Sequence, residues 1–288
     1  MKRLFLFFYL SVVSIVAFAA EQFVIFTPAG NHFPLIASGV PCPIYVDSSE
    51  DKGVMIAVGN LQQDILQVCG TKPEFLTNVS SKHCVIVGTY STPFVKKLIA
   101  ANKIDKKELE GKNEKYILQV VTNPCEGDEA VVIIGSDRRG TIYGIYELSE
   151  QMGVSPWYWW ADVPIRKQQN VYVKPGQYTD GEPAVTYRGI FLNDEAPCLT
   201  GWVKQTYGTN YGDHRFYTQV CELILRLKGN LPSGAGLSMQ TTRRIVRLLM
   251  KWESSSVHPT TNQWHATIRS GHASAKNMVH GIIQLTKK

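Results

Sequence analysis

Tyr187-Arg188-Gly189-Ile190-Phe191-Leu192-Asn193-Asp194-Glu195 is the stretch on which the fold turns. Its apolar run from Ile190 to Leu192 reads as a buried strand that stops on an amide and two carboxylates. A strand that delivers acidic residues to the loop at its C-terminal end is how barrel enzymes mount chemistry above a packed core. Adjacent carboxylates repel each other, so they carry a task or a partner. A solvated loop that caps the following helix is the plainer alternative.

Working outward, Asp213 to Lys228 has Phe216, Val220, Leu223 and Leu227 at alternating four- and three-residue steps, one apolar helix face. Strand, long acidic loop and helix make the first βα unit of something larger. On the other side, Thr179-Asp180-Gly181-Glu182-Pro183 is turn chemistry and marks a domain boundary. Before it, strands are expected at Gln22–Phe26, Pro43–Val46, Cys84–Gly88, Tyr116–Val121 and Ala130–Gly135, the last two as a hairpin, with Val171–Tyr178 a short strand or linker. Between them, Val54, Val58, Leu61, Ile65 and Val68 predict a helix closed by Gly70. Thr92–Asn102, with Pro93 in its first turn, and Thr141–Met152, closed by Gly153, are two more. Strands alternating with helices predict an α/β domain with a covered sheet.

The N-terminus has the form of a secretory signal: Lys2 and Arg3, an apolar run from Leu4 to Val16, then Ala17-Phe18-Ala19. The run is shorter than the ~20 residues of a spanning helix. Export, to the periplasm or the extracellular space without a membrane anchor, is the expectation. The six Cys (Cys42, Cys69, Cys84, Cys125, Cys198, Cys221) show no metal-ligand spacing, and their pairing is not set by the sequence. Asn78-Val79-Ser80 is a glycosylation sequon, meaningful in a eukaryotic secretory pathway.

The formal charge of +6 is unevenly distributed. From Leu231 to Lys288 eight Lys/Arg face one acid, Glu253, which leaves 22 basic against 23 acidic residues before it. Taken at face value the tail is a basic nucleic-acid-binding extension; the export signal opposes that reading.

Three further motifs have two readings each. Gly135-Ser136-Asp137-Arg138-Arg139-Gly140-Thr141 follows a strand and opens a helix, where phosphate loops sit, but lacks the phosphate-reaching Lys. A tight turn capped by Asp137 or Thr141 is the structural alternative. Trp157, Trp159 and Trp160 either pack between domains or form a platform for sugar rings. Tyr207-Gly208-Thr209-Asn210-Tyr211-Gly212 either lines a polar pocket or is a connector that needs two glycine turns.

At these residues the chain resembles glycoside hydrolase family 115, the exported α-glucuronidases acting on glucuronoxylan. The resemblance rests on Gly135–Glu150 (GSDRRGTIYGIYELSE), Gly153–Pro164 (GVSPWYWWADVP), Tyr187–Glu195 and Leu225–Asn230 (LRLKGN), and covers about residues 21–230. It implies an α/β accessory domain of the family 67 and 20 type over 21–183, then the opening βα unit of a (β/α)8 barrel over 184–230. It implies removal of (4-O-methyl-)glucuronic acid from xylan with inversion and no cofactor, and for the full-length parent a dimer is possible. By the family pattern Asn193, Asp194 and Glu195 stand on the active-site rim: Asp194 and Glu195 are the candidate catalytic residues, and Asn193, Tyr207 and Asn210 the candidate substrate-binding ones. An inverting enzyme sets its carboxyls about 6.5–9.5 Å apart, so at most one of the adjacent acids acts chemically. The alternative is a non-catalytic carbohydrate-binding or accessory domain of a polysaccharide-degrading protein.

From residue 231 the family's acidic loop and His-His-Glu-Pro segment are missing. Reading each codon from Leu231 onward from its third base permits text that restores both. Residues 231–288 are therefore expected to be the product of a frame slip near Asn230 and to pack poorly, leaving one βα unit of an unclosed, inactive barrel. Sequencing the coding DNA checks this: an alternative frame that encodes the acidic text is expected, and a coding strand in which no frame contains it removes the frame-slip reading.

Overall fold

The computed structural model describes residues 21–28, 30–79, 83–122, 124, 128–193, 197–208 and 213–235, without the side chains of 193 and 231–235. The segment read as an export signal (1–20), Ser80 of the sequon, Cys125 and the tail beyond 235 lie outside the described residues.

The main sheet has six strands in the order β10-β7-β8-β6-β4-β5. They are β4 (Ile44–Val46), β5 (Phe75–Leu76), β6 (His83–Thr89), β7 (Tyr116–Thr122), β8 (Glu129–Gly135) and β10 (Gln177–Asp180). β5, β4, β6 and β8 run parallel, while β7 is antiparallel to both β8 and β10. The hairpin expected from the sequence is thus the β7–β8 pair. Along β8, Val131 and Ile133 join one core cluster, and Ala130, Val132 and Ile134 the other. A strand buried on both faces needs a continuous apolar run, which is what β6 and β8 carry.

Helix α1 (Lys52–Cys69) and helix α3 (Arg138–Gln151) cover one face, and α2 (Pro93–Ala100) the other. The α1 apolar stripe Val54, Val58, Leu61, Ile65 and Val68 is fully buried. Asp51 caps its start by accepting from Gly53 N at 2.7 Å. Gly70 ends it at φ 88°, a left-handed position that a glycine enters without steric cost, with its N–H on Leu66 O.

A smaller antiparallel sheet, β1 (Val24–Ile25), β9 (Val171–Val173), β2 (Phe33–Ala37) and β3 (Val40–Pro41), packs on the α1/α3 core through Phe33, Leu35, Ile36, Val171 and Val173. The segment read as one short strand or linker at 171–178 is in fact divided between the two sheets. Thr179 and Asp180, expected in a turn, belong to β10, where Thr179 Oγ1 donates to Tyr116 O at 2.6 Å. The chain turns at Gly181, φ 96°, where a Cβ would stand 2.8 Å from Glu114 O.

The remaining elements are β11 (Gly189–Asn193), α4 (Cys198–Tyr207), α5 (His214–Arg226) and β12 (Leu231–Ala235). β11 and β12 form a separate two-stranded parallel sheet, Gly189 opposite Leu231 and Asn193 opposite Ala235. The decisive stretch is therefore not woven into the preceding sheet. Two points differ from expectation. α4 occupies what the sequence offered as loop, because Leu199, Val203 and Tyr207 recur every fourth residue against the cluster of Phe216, Tyr217, Val220 and Ile224. In the tail, for which the sequence offered no strand, the backbone of residues 231–235 pairs with β11; residues 236–288, on which the expectation of poor packing also bears, lie outside the described residues.

Candidate functional site

Parallel βαβ units place ligands and catalytic groups beyond the carboxyl ends of their strands. Here that end is marked by Asn193 on β11, level with Ala235 on β12. Asn193 is the last residue of its strand; its side chain, with Asp194, Glu195 and Asn210, lies outside the described residues. Tyr207 is described and closes α4, with Gly208 following at φ 70°. Its ring carries the Arg215 guanidinium at 4.9 Å, its carbonyl accepts from Arg215 Nη2 at 2.8 Å, and Trp202 meets it edge-on at 6.1 Å. Its hydroxyl is buried without a hydrogen-bond partner among the described residues. Burial, then the nearby Asp213 carboxylate, raise the phenol pKa, so the group stays a neutral donor. Tyr207 packs on the cluster that also takes Ile190 and Leu192, which ties α4 to the strand that leads to Asn193.

Two of the three neighbouring tryptophans are used in packing. Trp160 stacks on Trp202 of α4 at 5.9 Å, meets Phe216 of α5 at 6.0 Å, and points its indole N–H at Gln219 O, 3.4 Å away. Trp159 stands edge-on to Trp160 and Trp202. Trp157 is 43% exposed and is the member of the trio that presents itself to solvent.

The Gly135–Thr141 turn is a packing device. Asp137 caps α3 by accepting from Gly140 N at 2.8 Å, while Thr141 Oγ1 meets Thr89 Oγ1 at 2.9 Å. A Cβ on Gly140 would lie 2.1 Å from Lys115 O. The buried Glu50 carboxylate already accepts from Thr89 N and Thr89 Oγ1 at this strand end, which leaves the place unsuited to a phosphate. Among the described residues no three His, Cys, Asp or Glu side chains group to hold a metal. Burial pushes the Cys42 thiol up to about 12, so it is no thiolate nucleophile.

Sequence reasoning missed the residues at the opposite, N-terminal end of β11 and β12. Arg226 is buried with Asp64 of α1. Its Nη2 donates to both Asp64 oxygens at 3.0 and 2.9 Å, and its Nε to Glu222 Oε1 at 2.8 Å. The guanidinium also lies over the Tyr146 and Tyr158 rings at 4.5 and 5.0 Å. Burial works against this charge, but Asp64, Tyr146 and Glu222 hold its pKa above the ordinary arginine value. Lys228 reaches Asp180 at 2.7 Å and Glu147 at 2.8 Å. A cavity of about 150 Å³ opens here among Glu114, Tyr116, Tyr143, Asp180, Arg188 and Lys228. Its two acids and two bases are already paired with one another, Arg188 with Glu114 and Lys228 with Asp180, so it has no free charge to offer a ligand. The cavity belongs to a structural joint of paired charges. The one sequence signal for Arg226 was its i,i+4 spacing from Glu222.

The comparisons with known proteins bear on both ends of the chain. The model of glycosyl hydrolase family 115 matches residues 180–272, past Asn230 where the quoted motifs end. The model of the glycosyl hydrolase family 67 N-terminus matches residues 37–148. Among solved structures, a family GH115 4-O-methyl-α-glucuronidase with specificity for decorated arabinogalactans aligns at 29% identity and TM-score 0.62, over 76% of this chain and 28% of its own. The present chain thus spans under a third of that relative's length. A family GH20 β-N-acetylhexosaminidase from Streptomyces coelicolor aligns at 15% identity and TM-score 0.40, over 72% of this chain and 32% of its own. No curated protein matches. The resemblance to glycoside hydrolase family 115 read from the motifs holds, and the mixed α/β fold is similar to that family's solved structure.

Removing one partner of a buried ion pair strands the other, at about 3–5 kcal/mol. Arg226→Met is expected to lose that much stability in urea unfolding. Replacing Arg226, Asp64 and Glu222 together by apolar side chains is expected to recover most of it. A loss below about 1 kcal/mol in the single variant would contradict this role for Arg226.

Proposed function

We propose that the chain is the N-terminal part of an exported α-glucuronidase that removes (4-O-methyl-)glucuronic acid from a polysaccharide by inversion. In this reading, residues 1–20 are the export signal, 21–183 the accessory domain and 184–230 the opening of a (β/α)8 barrel. The observation that supports it best is the parallel β11–β12 pair with an intervening helical segment, ending on Asn193 just before two acids. Asp194 or Glu195 supplies one carboxyl of the inverting pair. The partner carboxyl, about 6.5–9.5 Å away, comes from a later strand end, because two neighbours on one loop cannot flank both sides of a glycosidic bond. Asn193, Tyr207 and Asn210 offer hydrogen bonds to sugar hydroxyls. The neutral Tyr207 hydroxyl suits that task, since it needs a partner that the described protein atoms do not give it.

Glucuronoxylan is the substrate implied by the sequence motifs. The solved relative's specificity for decorated arabinogalactans makes a uronic-acid-capped arabinogalactan the second candidate. In both cases the terminal uronic acid is the recognised unit. The two parallel strands among the described residues cannot by themselves close a barrel or bury its central layers, and in this reading the chain is inactive. The frame-slip reading of residues 231–288 has to accommodate the family match that continues to residue 272.

The test assays release of uronic acid from glucuronoxylan and from arabinogalactan. The chain as written is expected to release none. A version extended through the restored downstream frame is expected to be active, and to lose at least about 100-fold when either Asp194→Asn or Glu195→Gln removes the acting carboxyl. Release by the chain as written would overturn the inactivity. Full activity in both variants would overturn the site.

A further inference from the structure

We infer that the α/β domain sets the register of the β11–β12 pair through one side chain, the Glu114 carboxylate. Glu114 stands two residues before β7 with φ 53°, a left-handed position unusual for a residue with a side chain. Its own N–H donates to the Asp137 carboxylate at 2.9 Å, which fixes it to the α3 cap. Its carboxylate then receives three donors from three separate parts of the chain. Oε1 accepts from Arg139 Nη1 of α3 at 3.0 Å and from Asn230 Nδ2 at 3.1 Å. Oε2 accepts from Arg188 Nη2 at 2.5 Å. Arg188 and Asn230 are the residues immediately before β11 and β12, so one carboxylate grips the foot of both strands.

The two feet are also locked to each other. Asn230 N donates to Arg188 O at 2.7 Å, and Asn230 Oδ1 accepts from Arg188 N at 3.0 Å. The Asn230 amide therefore adds a rung below the Gly189–Leu231 pair, using both backbone groups of Arg188. Its Nδ2 reaches Thr186 O at 2.7 Å as well. Arg188 Nε donates to Lys228 O at 2.9 Å, across the turn that Lys228 makes at φ 55°. A one-residue slip would bring Gly229 or Leu231 to this place, and neither has an amide to complete the rung. Such a slip would also turn every β12 side chain to the opposite face.

This constraint adds to the seating of Ile190 and Leu192 on the α5 cluster in defining the register of the pair. The pair is five residues long, parallel and two-stranded, an arrangement that is marginal on its own. The α/β domain, complete before this segment begins, presents a preformed acceptor against which both strands align. The height of Asn193 at the far end of β11 follows from that alignment.

The inference is tested on the full chain by hydrogen exchange, without any sugar, so its outcome is independent of the proposed glycosidase activity. Glu114→Gln keeps the shape and removes the charge. Exchange of the amides in 189–193 and 231–235 is expected to accelerate at least about tenfold, the effect of losing one charge-assisted hydrogen bond, while 83–89 and 129–135 stay unchanged. Lys228→Met, which removes another cation of the same joint without touching the Asn230 rung, is expected to leave strand exchange within about twofold. If Glu114→Gln unfolds globally, Asn230→Ala leaves the contacts of the α/β domain with Arg188 in place, and protection lost at 231–235 with 83–89 intact is the supporting result. Unchanged protection of both strands in the Glu114 or the Asn230 variant overturns the inference. So does loss spread equally over β6, β8, β11 and β12.

Discussion

The structure depends on a guanidinium taken out of water. Arg226 ends α5 inside the protein, where bulk solvent cannot solvate it, and its charge is carried instead by Asp64, Glu222 and the faces of two tyrosines. A buried arginine without such partners would cost several kcal/mol. The sites that provide them lie on α1, on α5 itself, on α3 and in the tryptophan-rich segment that follows α3. Arg226 can therefore be buried only when the α/β domain and the β11–β12 unit have docked in one relative arrangement. Apolar contact between helices tolerates sliding; a guanidinium whose Nη2 meets Asp64 while its Nε meets Glu222 does not.

From that docking the two ends of β11 acquire different characters. The N-terminal end is closed by compensated charges, Glu114 with Arg139 and Arg188, Lys228 with Asp180 and Glu147. Burial pushes the Glu114 carboxyl up, but hydrogen bonds from Asn230 and Arg188 and the charges of Arg188 and Arg139 outweigh it and hold the carboxyl below its usual range. The ionised form is thus the one the fold selects. Its stabilising effect is full above the ordinary carboxylate range, near pH 4.5, and is lost as pH falls through the lowered value. The C-terminal end carries Asn193 and the α4 helix, whose Tyr207 keeps a buried hydroxyl without a protein partner among the described residues. The N-terminal end of the pair is thus held by compensated charges, and the C-terminal end carries the candidate site residues.

Much of the α/β domain was legible because local signals agreed with tertiary demands. The α1 stripe and its Gly70 stop point to one helix, and the apolar runs of β6 and β8 announce strands covered on both sides. Asn193 at a strand end was legible too. α4 was not, since its N-cap residue, Pro197, offers no side-chain cap and Gly201, a poor helix former, sits inside it. Leu227, expected on the core face of α5, is 42% exposed, because the helix ends at Arg226 and the core position passes to Ile224. The joint was illegible for a different reason. Arg188 and Glu114 are 74 residues apart, and Arg226 and Asp64 are 162 apart. Periodicity speaks of faces within a segment and says nothing about which distant charge will meet another.

The central claim is that the α/β domain and the β11–β12 unit fold as one body. The direct measurement is urea unfolding followed by far-ultraviolet circular dichroism and by tryptophan fluorescence, with Trp252 and Trp264 changed to Phe so that emission reports only Trp157, Trp159, Trp160 and Trp202. Circular dichroism is dominated by the α/β domain, and the fluorescence by the cluster on α4 and α5. Coincident transitions with one midpoint are predicted. A fluorescence transition complete at lower urea, with the dichroism still native, would show two independent bodies and contradict the account.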